Sequence, residues 1–183
     1  KLEKQLLVEN PATSSTGEEA LLWSIALYGE NWKNFWTVLK PAIYTAEPGW
    51  SEAFAKFTAG EAPMMVGYAT SNLFFSQDEG QSRFSSFLLE DGTFMYLEGA
   101  SLVNKKETKE GAKKFMEYIL SKEFQSLVPK KNYMFPVTET ALTEEFKFVP
   151  TTENTVKLSN EQIKDLVNNL DKYKAELIEI LKK

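Results

Sequence analysis

The sequence predicts an α/β fold with a largely parallel sheet. Over the first 70 residues, short apolar strands alternate with helical patterns, which is the order that βαβ units produce. Residues 47–75 show this order most clearly. They contain a Pro48-Gly49 turn, a helix from Trp50, and an unbroken apolar run, Met64-Met65-Val66, that is typical of a buried strand. Because ligands bind at the carboxyl ends of strands in such sheets, we expect the functional site where this run ends.

The other elements of the first half are predicted from apolar periodicity and turn residues. In chain order they are a strand at 5–9, helices at 17–28 and 31–40, a strand at 43–46, a helix from Trp50 to Gly60 and a strand at 63–68. Thr16 and Glu19 have the spacing of a capping box for the helix at 17–28. Its core face would consist of Leu21, Leu22, Ile25 and Tyr28.

The second half is predicted to mix strands and helices. Its elements are strands at 84–89 and 93–103 joined by a turn at 90–92, helices at 109–120 and 122–128, an extended segment at 132–137, a helical turn at 143–148, a loop at 150–156 and a helix at 159–181. Pro129 should end the helix at 122–128. Ser159 and Gln162 have capping-box spacing, and the last helix has this apolar period: Ile163, Leu166, Val167, Leu170, Tyr173 and Leu177.

Composition narrows the classes of function. Apolar residues make up 43% and charged residues 26% of the chain, which is typical of a globular protein. The net charge is −5 and the one arginine is Arg83, so we find no basic patch and expect no nucleic-acid partner. The sequence has no cysteine and no histidine, which excludes thiolate nucleophiles, zinc sites built on these residues and a histidine general base.

The chain begins in a way that predicts a larger parent. No apolar run approaches the roughly 20 residues that a membrane span needs. The first ten residues, KLEKQLLVEN, lack the long apolar core and cleavage site of a signal peptide. They predict a strand that other elements of the fold would precede, so we expect the chain to be part of a longer protein.

The first candidate site is the segment Thr13-Ser14-Ser15-Thr16-Gly17, which joins a predicted strand to a predicted helix. Free backbone N–H groups, hydroxyl donors and the helix dipole at such a position suit a phosphate or a carboxylate. The alternative is an ordinary N-cap without a ligand. No lysine follows the glycine, so the segment is not a P-loop.

The second candidate is a set of aromatic residues: Trp50, Tyr68, Phe74 and Tyr133. Trp50 follows a Pro-Gly turn directly, and Tyr68 ends a predicted strand. Aromatic faces around a cleft suit a flat or cationic ligand, through stacking and cation–π attraction of about 0.5 to 2 kcal/mol each. The alternative for each residue is a place in the hydrophobic core.

Catalysis has no comparable signal. The sequence contains no G-x-S-x-G, no S-x-x-K beside a turn and no metal-ligand spacing. We therefore predict that the protein is not an enzyme and has neither a metal site nor a cofactor.

Several motifs, taken together, resemble one family. They are NPATSSTGEEALLW at 10–23, EPGWSEA at 47–53, FTAGE at 57–61, GYATS at 67–71 and NYMFPV at 132–137. Because these motifs occur in this order, the chain is similar to the periplasmic thiamine-binding proteins of ABC importers. These proteins belong to the iron- and polyamine-binding type of solute-binding protein. The resemblance implies the type II periplasmic binding fold, which has two α/β lobes with the ligand between them.

The resemblance covers one lobe and part of the other. It implies that residues 5–96 and 133–183 form the second, C-terminal lobe and that residues 97–132 belong to the first. The N-terminal portion of the first lobe would be missing, and either the same parent chain or a companion chain would supply it. Residues 97–132 should then lack their usual sheet neighbours and expose apolar surface.

The resemblance also implies ligand contacts. Ser14 matches the hydroxyl near the thiamine phosphate, with Ser15 beside it, and Trp50 matches the tryptophan at the ligand rings. Phe74 stands where the family can have a tyrosine, and Tyr133 where it can have a tryptophan. Tyr68 is retained, with a structural role as its alternative.

The resulting hypothesis is a solute receptor that binds thiamine or thiamine phosphates and delivers them to a membrane permease. Its location would be periplasmic or extracytoplasmic, with a lipid anchor as an option in the full-length parent. The alternatives are a receptor for another small solute, such as ferric ion or a polyamine, and a non-transport interaction module. Iron binders of this type present adjacent tyrosines, whereas this chain has Phe74-Phe75.

Overall fold

The computed structural model describes residues 3–73 and 84–182, and the chain separates into two compact units. Unit 1 comprises Lys1–Tyr68, Leu89–Met95 and Thr152–Lys183, and unit 2 comprises Ala69–Leu88 and Tyr96–Thr151. The lobe boundaries that the resemblance implies, 5–96 with 133–183 and 97–132, stay a prediction.

The described strands and helices are as follows. They are β1 Leu6–Glu9, α1 Ser15–Tyr28, α2 Trp32–Leu39, β2 Ile43–Glu47, α3 Trp50–Thr58, β3 Met64–Met65, α4 Glu110–Tyr118, α5 Lys122–Gln125, α6 Val128–Lys131 and α7 Asn160–Lys182. Short 3₁₀ helices lie at Gly29–Asn31, Lys40–Ala42, Ala69–Asn72 and Glu144–Phe148. The helical turn predicted at 143–148 is confirmed.

A parallel sheet forms the centre of unit 1. β1 lies between β2 and β3, and both pairings are parallel. The register places Glu9 opposite Glu47 and Leu7 opposite Met65. This arrangement confirms the predicted α/β fold class. The strand predicted at 63–68 is shorter than expected and only partly buried, because β3 pairs with β1 through two residues alone.

The two faces of β1 lie in separate apolar clusters because successive side chains of a strand point in opposite directions. Val8 belongs to the larger cluster, which α1, α2 and α7 cover with Leu21, Ile25, Trp32, Trp36, Leu166 and Leu177. Leu7 packs on the other face with Ala53 of α3 and with Ala62. β1 is therefore a buried strand, and the loop that leads into α1 starts from its end.

The beginning of α1 differs from the prediction. Ser14, rather than Thr16, is the N-cap residue, and its side chain accepts a hydrogen bond from the backbone N–H of Gly17. α1 therefore begins two residues earlier than position 17. Its core face is as predicted, since Leu21 and Ile25 are buried, and Leu22 and Tyr28 pack partly buried against the same cluster.

Two polar contacts connect α1 to the other helices of unit 1. The indole N–H of Trp36 on α2 donates to Ser24 Oγ at 2.9 Å, and Ser24 Oγ donates to the Leu21 carbonyl at 2.7 Å. Gln162 Nε2 on α7 donates to the Ile25 carbonyl at 3.0 Å. Both contacts satisfy polar atoms that helix packing removes from water.

The capping box of α7 is confirmed. Gln162 N donates to Ser159 Oγ at 3.2 Å, and Ser159 N donates to Gln162 Oε1 at 2.8 Å. The predicted apolar period of this helix is only partly buried. Leu166 and Leu177 are buried, whereas Ile163 and Val167 are 47% and 80% exposed.

The strands predicted at 84–89 and 93–103 are wrong within the described residues. The only pairing found there is an isolated bridge between Thr93 and Thr155. The turn at 90–92 does form, with Gly92 N donating to the Leu89 carbonyl at 3.0 Å. Without a neighbouring strand, the backbone of an extended segment gains no ladder hydrogen bonds, and apolar alternation alone does not produce a strand.

Unit 2 exposes many apolar side chains. Within 97–132 these are Leu97, Leu102, Val103, Phe115, Tyr118, Leu120 and Leu127. The expectation that this segment exposes apolar surface is therefore confirmed, although its proposed cause, a missing lobe, stays a prediction. The helix predicted at 122–128 is instead two helices, α5 and α6, and Pro129 lies in the first turn of α6, where proline is tolerated, rather than ending α5.

In the part of the chain that the structure describes, no helix combines the length and the apolar character that a membrane-spanning helix needs.

Candidate ligand-binding site

Two loops meet at the carboxyl edge of the sheet in unit 1. One follows β1 and leads into α1, and the other follows β2 and leads into α3. Asn10 N donates to the Glu47 carbonyl at 2.8 Å, and Thr13 Oγ1 donates to the Pro48 carbonyl at 2.6 Å. These bonds connect the Ser14-Ser15 segment to the Pro48-Gly49 turn that precedes Trp50. The structure thus brings two separately predicted sites to one edge of the sheet.

The N-terminus of α1 lies directly on the end of β1. A Cβ at position 17 would lie 2.5 Å from the Glu9 carbonyl oxygen, so only glycine permits this approach. The contact places Ser14 half-buried and Ser15 exposed, with the first turn of α1 behind them. Ser14 Oγ lies 2.8 Å from Thr16 Oγ1 and 3.4 Å from Gly17 N. Ser14 therefore caps α1, and a hydroxyl that caps a helix can still contact a ligand.

Trp50 is the first residue of α3 and stacks on Phe54, with ring centroids 4.5 Å apart and planes 20° apart. The Tyr68 ring lies 6.5 Å from the Trp50 ring. All three are half-buried. They form an aromatic surface at the start of α3, next to the turn that Thr13 contacts. The structure places Phe54 under the Trp50 ring.

Two acids lie behind this edge. Glu9 is 2% exposed and Glu47 is 7% exposed. Glu47 accepts a hydrogen bond from Lys56 Nζ of α3 at 2.7 Å, which also raises the pKa of Lys56. Burial raises the pKa of Glu9 to about 8, opposed by the nearby Thr16 hydroxyl and by the backbone N–H of Glu9. Sequence reasoning missed Glu9, although a charged residue at the end of an apolar strand was a visible signal.

Tyr133 belongs to unit 2 and has an unusual backbone. Its φ of 53° lies in the left-handed region, which non-glycine residues seldom adopt. The ring packs against Leu73, Phe146 and Val149, and it lines a pocket of about 330 Å³ together with Lys130, Thr143 and Glu145. Left-handed backbone at a non-glycine residue tends to occur at functional positions, which agrees with the choice of Tyr133 as a candidate.

Phe74, the remaining candidate, lies outside the described residues. Among the described residues, no group of three or more acidic side chains is placed so that it could hold a metal ion. A further pocket of about 470 Å³ in unit 1 was not expected from the sequence. Its wall includes Tyr28 and Phe35, whose rings stack 4.7 Å apart.

Comparison with known proteins gives consistent results. A family described as "Bacterial extracellular solute-binding protein" matches residues 3–171. A protein of Brucella abortus biovar 1 (strain 9-941), named "Thiamine-binding periplasmic protein", is 32% identical over 155 residues, which are 84% of this chain and 46% of the relative. A protein of the same name from Salmonella typhimurium is 28% identical over 159 residues, 87% of this chain and 49% of the relative.

Solved structures agree on the fold. A "Periplasmic thiamin binding protein" superposes with a TM-score of 0.86 at 23% identity, covering 99% of this chain and 56% of that one. An ABC transporter structure from Clostridium perfringens ATCC 13124 has a TM-score of 0.67 at 19% identity, covering 98% and 59%. The predicted resemblance and fold class are confirmed. The chain spans about half the length of the curated relatives it matches.

Proposed function

The chain belongs to the bacterial extracellular solute-binding protein family, and we propose that it binds thiamine or a thiamine phosphate as part of an ABC importer's receptor. The observation that carries this proposal is the meeting of the Ser14-Ser15 segment and the Trp50 surface at one edge of the sheet. Several relatives named "Thiamine-binding periplasmic protein" support it.

The chemistry of the two surfaces fits the two ends of such a ligand. The thiazolium ring of thiamine is flat and cationic, and an aromatic face attracts a cation by about 0.5 to 2 kcal/mol. A phosphate suits hydroxyl donors and free N–H groups at a helix N-terminus, where the dipole favours negative charge. Ser14, Ser15 and Trp50 would therefore contact opposite ends of one ligand. Tyr68, whose ring lies 6.5 Å from the Trp50 ring, would supply a further aromatic contact.

The protein would act by binding rather than by catalysis, and it would need no cofactor. Its relatives are named as binding proteins, which supports a receptor rather than an enzyme. Its partners would be the ligand, a membrane permease and the remaining lobe, with closure of two lobes around the ligand as the mechanism. The names of the relatives support a periplasmic location.

Tryptophan fluorescence of the protein at full native length tests the proposal. Thiamine should quench the emission in a saturable manner. Trp50→Ala should remove much of this response and weaken binding roughly 2- to 30-fold, the equivalent of about 0.5 to 2 kcal/mol. Trp23→Phe is the matched control, because Trp23 packs with Tyr28 and Phe35 rather than with Trp50.

Two results would contradict the proposal. The first is the absence of any thiamine response in the wild-type protein. The second is an unchanged affinity in Trp50→Ala, which would move the ligand away from α3. Saturable binding of ferric ion or a polyamine instead of thiamine would support the role as a solute-binding protein but would show that thiamine is not the ligand.

A further inference from the structure

The side chain of Thr13 connects the two loops of the candidate site. Its hydroxyl donates to the Pro48 carbonyl at 2.6 Å, between residues that are 35 positions apart in the chain. The loop on one side of this bond carries Ser14, and the turn on the other side precedes Trp50. The function proposed above assigns ligand contacts to Ser14 and Trp50 but no role to Thr13.

Thr13 belongs to a turn that is closed on itself. The Asn10 carbonyl accepts from Thr13 N at 3.2 Å and from Ser14 N at 3.0 Å. Asn10 Oδ1 accepts from Ala12 N at 2.9 Å, and Asn10 N donates to the Glu47 carbonyl at the end of the sheet. Since Thr13 and Ser14 share one carbonyl acceptor, a contact that fixes Thr13 also restricts the position of Ser14.

The turn before α3 has few backbone groups that can hold it. Pro48 has no N–H, so its carbonyl is the one backbone group through which it forms hydrogen bonds. Gly49 is the N-cap residue of α3 and has no side chain that could cap the helix. The bond from Thr13 therefore acts on the turn from which Trp50 starts, and it contributes to the separation between Ser14 and Trp50.

We propose that Thr13 is a positioning residue whose bond to Pro48 sets the separation between the two ligand-contacting surfaces and so favours thiamine monophosphate over thiamine. These surfaces are the Ser14-Ser15 segment and the aromatic surface at Trp50. This role deepens the proposed function and rests on it.

The two ends of the ligand explain why the separation matters. Thiamine monophosphate reaches both surfaces, whereas thiamine has no phosphate group for the Ser14-Ser15 segment. Once the ring is bound, the phosphate contact is intramolecular, and its strength depends on how well the two surfaces match the length of the ligand. A segment that has to be ordered during binding subtracts free energy from this contact. Loss of the Thr13 bond should therefore weaken the phosphate contact and leave the ring contact largely unchanged.

Calorimetric titration of the protein at full native length with thiamine and with thiamine monophosphate tests the proposal. Thr13→Val keeps a β-branched side chain and removes the hydroxyl. Thr13 and Pro48 are both exposed, so water satisfies the Pro48 carbonyl in the variant and no buried polar group loses its partner. The affinity for thiamine monophosphate should fall roughly 2- to 10-fold, while the affinity for thiamine should change by less than about twofold.

Two further variants separate the hydroxyl of Thr13 from general effects of substitution. Thr13→Ser keeps the hydroxyl donor, so it should keep the wild-type preference for thiamine monophosphate. Thr37→Val is the matched control, because Thr37 is an exposed threonine of α2 whose hydroxyl donates to the Lys33 carbonyl at 2.8 Å. It should bind both ligands as the wild-type protein does.

A ligand-independent measurement accompanies the titration. A hydrogen bond deshields the carbon of the carbonyl that accepts it. The ¹³C resonance of the Pro48 carbonyl should therefore move upfield in Thr13→Val and stay near its wild-type position in Thr13→Ser and Thr37→Val. A Pro48 resonance that is the same in all four proteins overturns the proposed role of Thr13, whether or not any ligand binds.

The binding results have distinct meanings. An unchanged preference for thiamine monophosphate in Thr13→Val overturns the positioning role, and so does an equal loss of affinity for both ligands. A Thr13→Ser protein that has lost the preference overturns it as well, because the hydroxyl is then not the group that matters. Absence of binding of both ligands to the wild-type protein, by contrast, overturns the proposed function itself.

Discussion

Gly17 packs directly on Glu9, so closely that a Cβ at position 17 would lie 2.5 Å from the Glu9 carbonyl oxygen. This contact fixes the first turn of α1 against the end of β1. The positions of Ser14 and Ser15 follow from it, because both belong to the turn that starts α1. A backbone approach between two residues eight positions apart thus positions the Ser14-Ser15 segment of the candidate site.

Gly17→Ala should destabilise the protein by about 1 to 3 kcal/mol, because the added methyl group meets rigid backbone rather than a movable side chain. Urea unfolding measures the effect. Gly111→Ala is the control, since no atom lies within 4 Å of a Cβ there and α4 is helical. Alanine should be neutral or stabilise by up to about 1 kcal/mol at that position. Equal stability of the two variants would show that Glu9 and Gly17 do not touch.

Glu9→Gln should change the pH dependence of stability. The pKa of Glu9 is raised from 4.5 to about 8, so the folded state holds a proton that the unfolded state releases between these values. Stability therefore falls as pH rises through this window, and the penalty is constant above pH 8. Glu9→Gln cannot ionise at this position. The free energy of unfolding of Glu9→Gln, relative to that of the wild type, should therefore increase from about pH 4.5 to about pH 8.

Glu19→Gln supplies the comparison for that experiment. Burial, with a smaller contribution from Glu18, raises the pKa of Glu19 to about 7. The free energy of unfolding of Glu19→Gln, relative to that of the wild type, should therefore stop increasing near pH 7, about one pH unit below the value for Glu9→Gln. Urea unfolding at several pH values measures both curves. Identical curves for the two variants would contradict the assignment of different pKa values to Glu9 and Glu19.

Phe54→Leu tests the stacking beneath Trp50. An aromatic pair contributes about 0.5 to 1.5 kcal/mol beyond burial, so loss of the Phe54 ring releases the orientation of the Trp50 indole. If Trp50 contacts thiamine, affinity should fall roughly 2- to 10-fold. Phe57→Leu, at a position in the Leu7 cluster, is the control and should retain affinity. An equal loss in both variants would indicate general destabilisation of α3.

Gln162→Ala should destabilise the protein more than Ser159→Ala does. Ser159→Ala removes the N-cap hydroxyl of α7, which typically costs about 1 kcal/mol. Gln162→Ala removes both the reciprocal bond to Ser159 N and the bond to the Ile25 carbonyl on α1. Chemical denaturation compares the variants. A larger loss for Ser159→Ala would contradict the role of Gln162 in connecting α7 to α1.

Most helices could be predicted from local signals. The start of α7 at Ser159 and Gln162, the end of α3 before Gly60 and the core face of α1 all depend on residues within a few positions along the chain. The N-cap of α1 could not be resolved in this way. Ser14 and Thr16 both carry a suitable hydroxyl, and the close contact between Gly17 and Glu9 decided between them.

The strands were less predictable for a related reason. The alternation at 84–103 indicated two strands, yet a strand also requires a partner, and the described residues provide one bridge at Thr93. The candidate site was also only partly predictable, because local patterns do not show which distant residues come into contact. Ser14, Ser15 and Trp50 were identified from local patterns and from the resemblance, whereas Glu9 and Phe54 acquire their roles only through contacts across the sheet edge and within α3.

The sequence by itself determined the α/β class, the positions of the main helices and the motifs that resemble thiamine-binding proteins. These depend on local spacing and on residue type. The tertiary structure alone decided that Thr13 bonds to Pro48, that Glu9 is buried beside Thr16, and that Phe54 supports Trp50. The physical reason is that burial and pairing depend on which distant segments meet, and the parallel pairing of β1 with β2 sets that meeting.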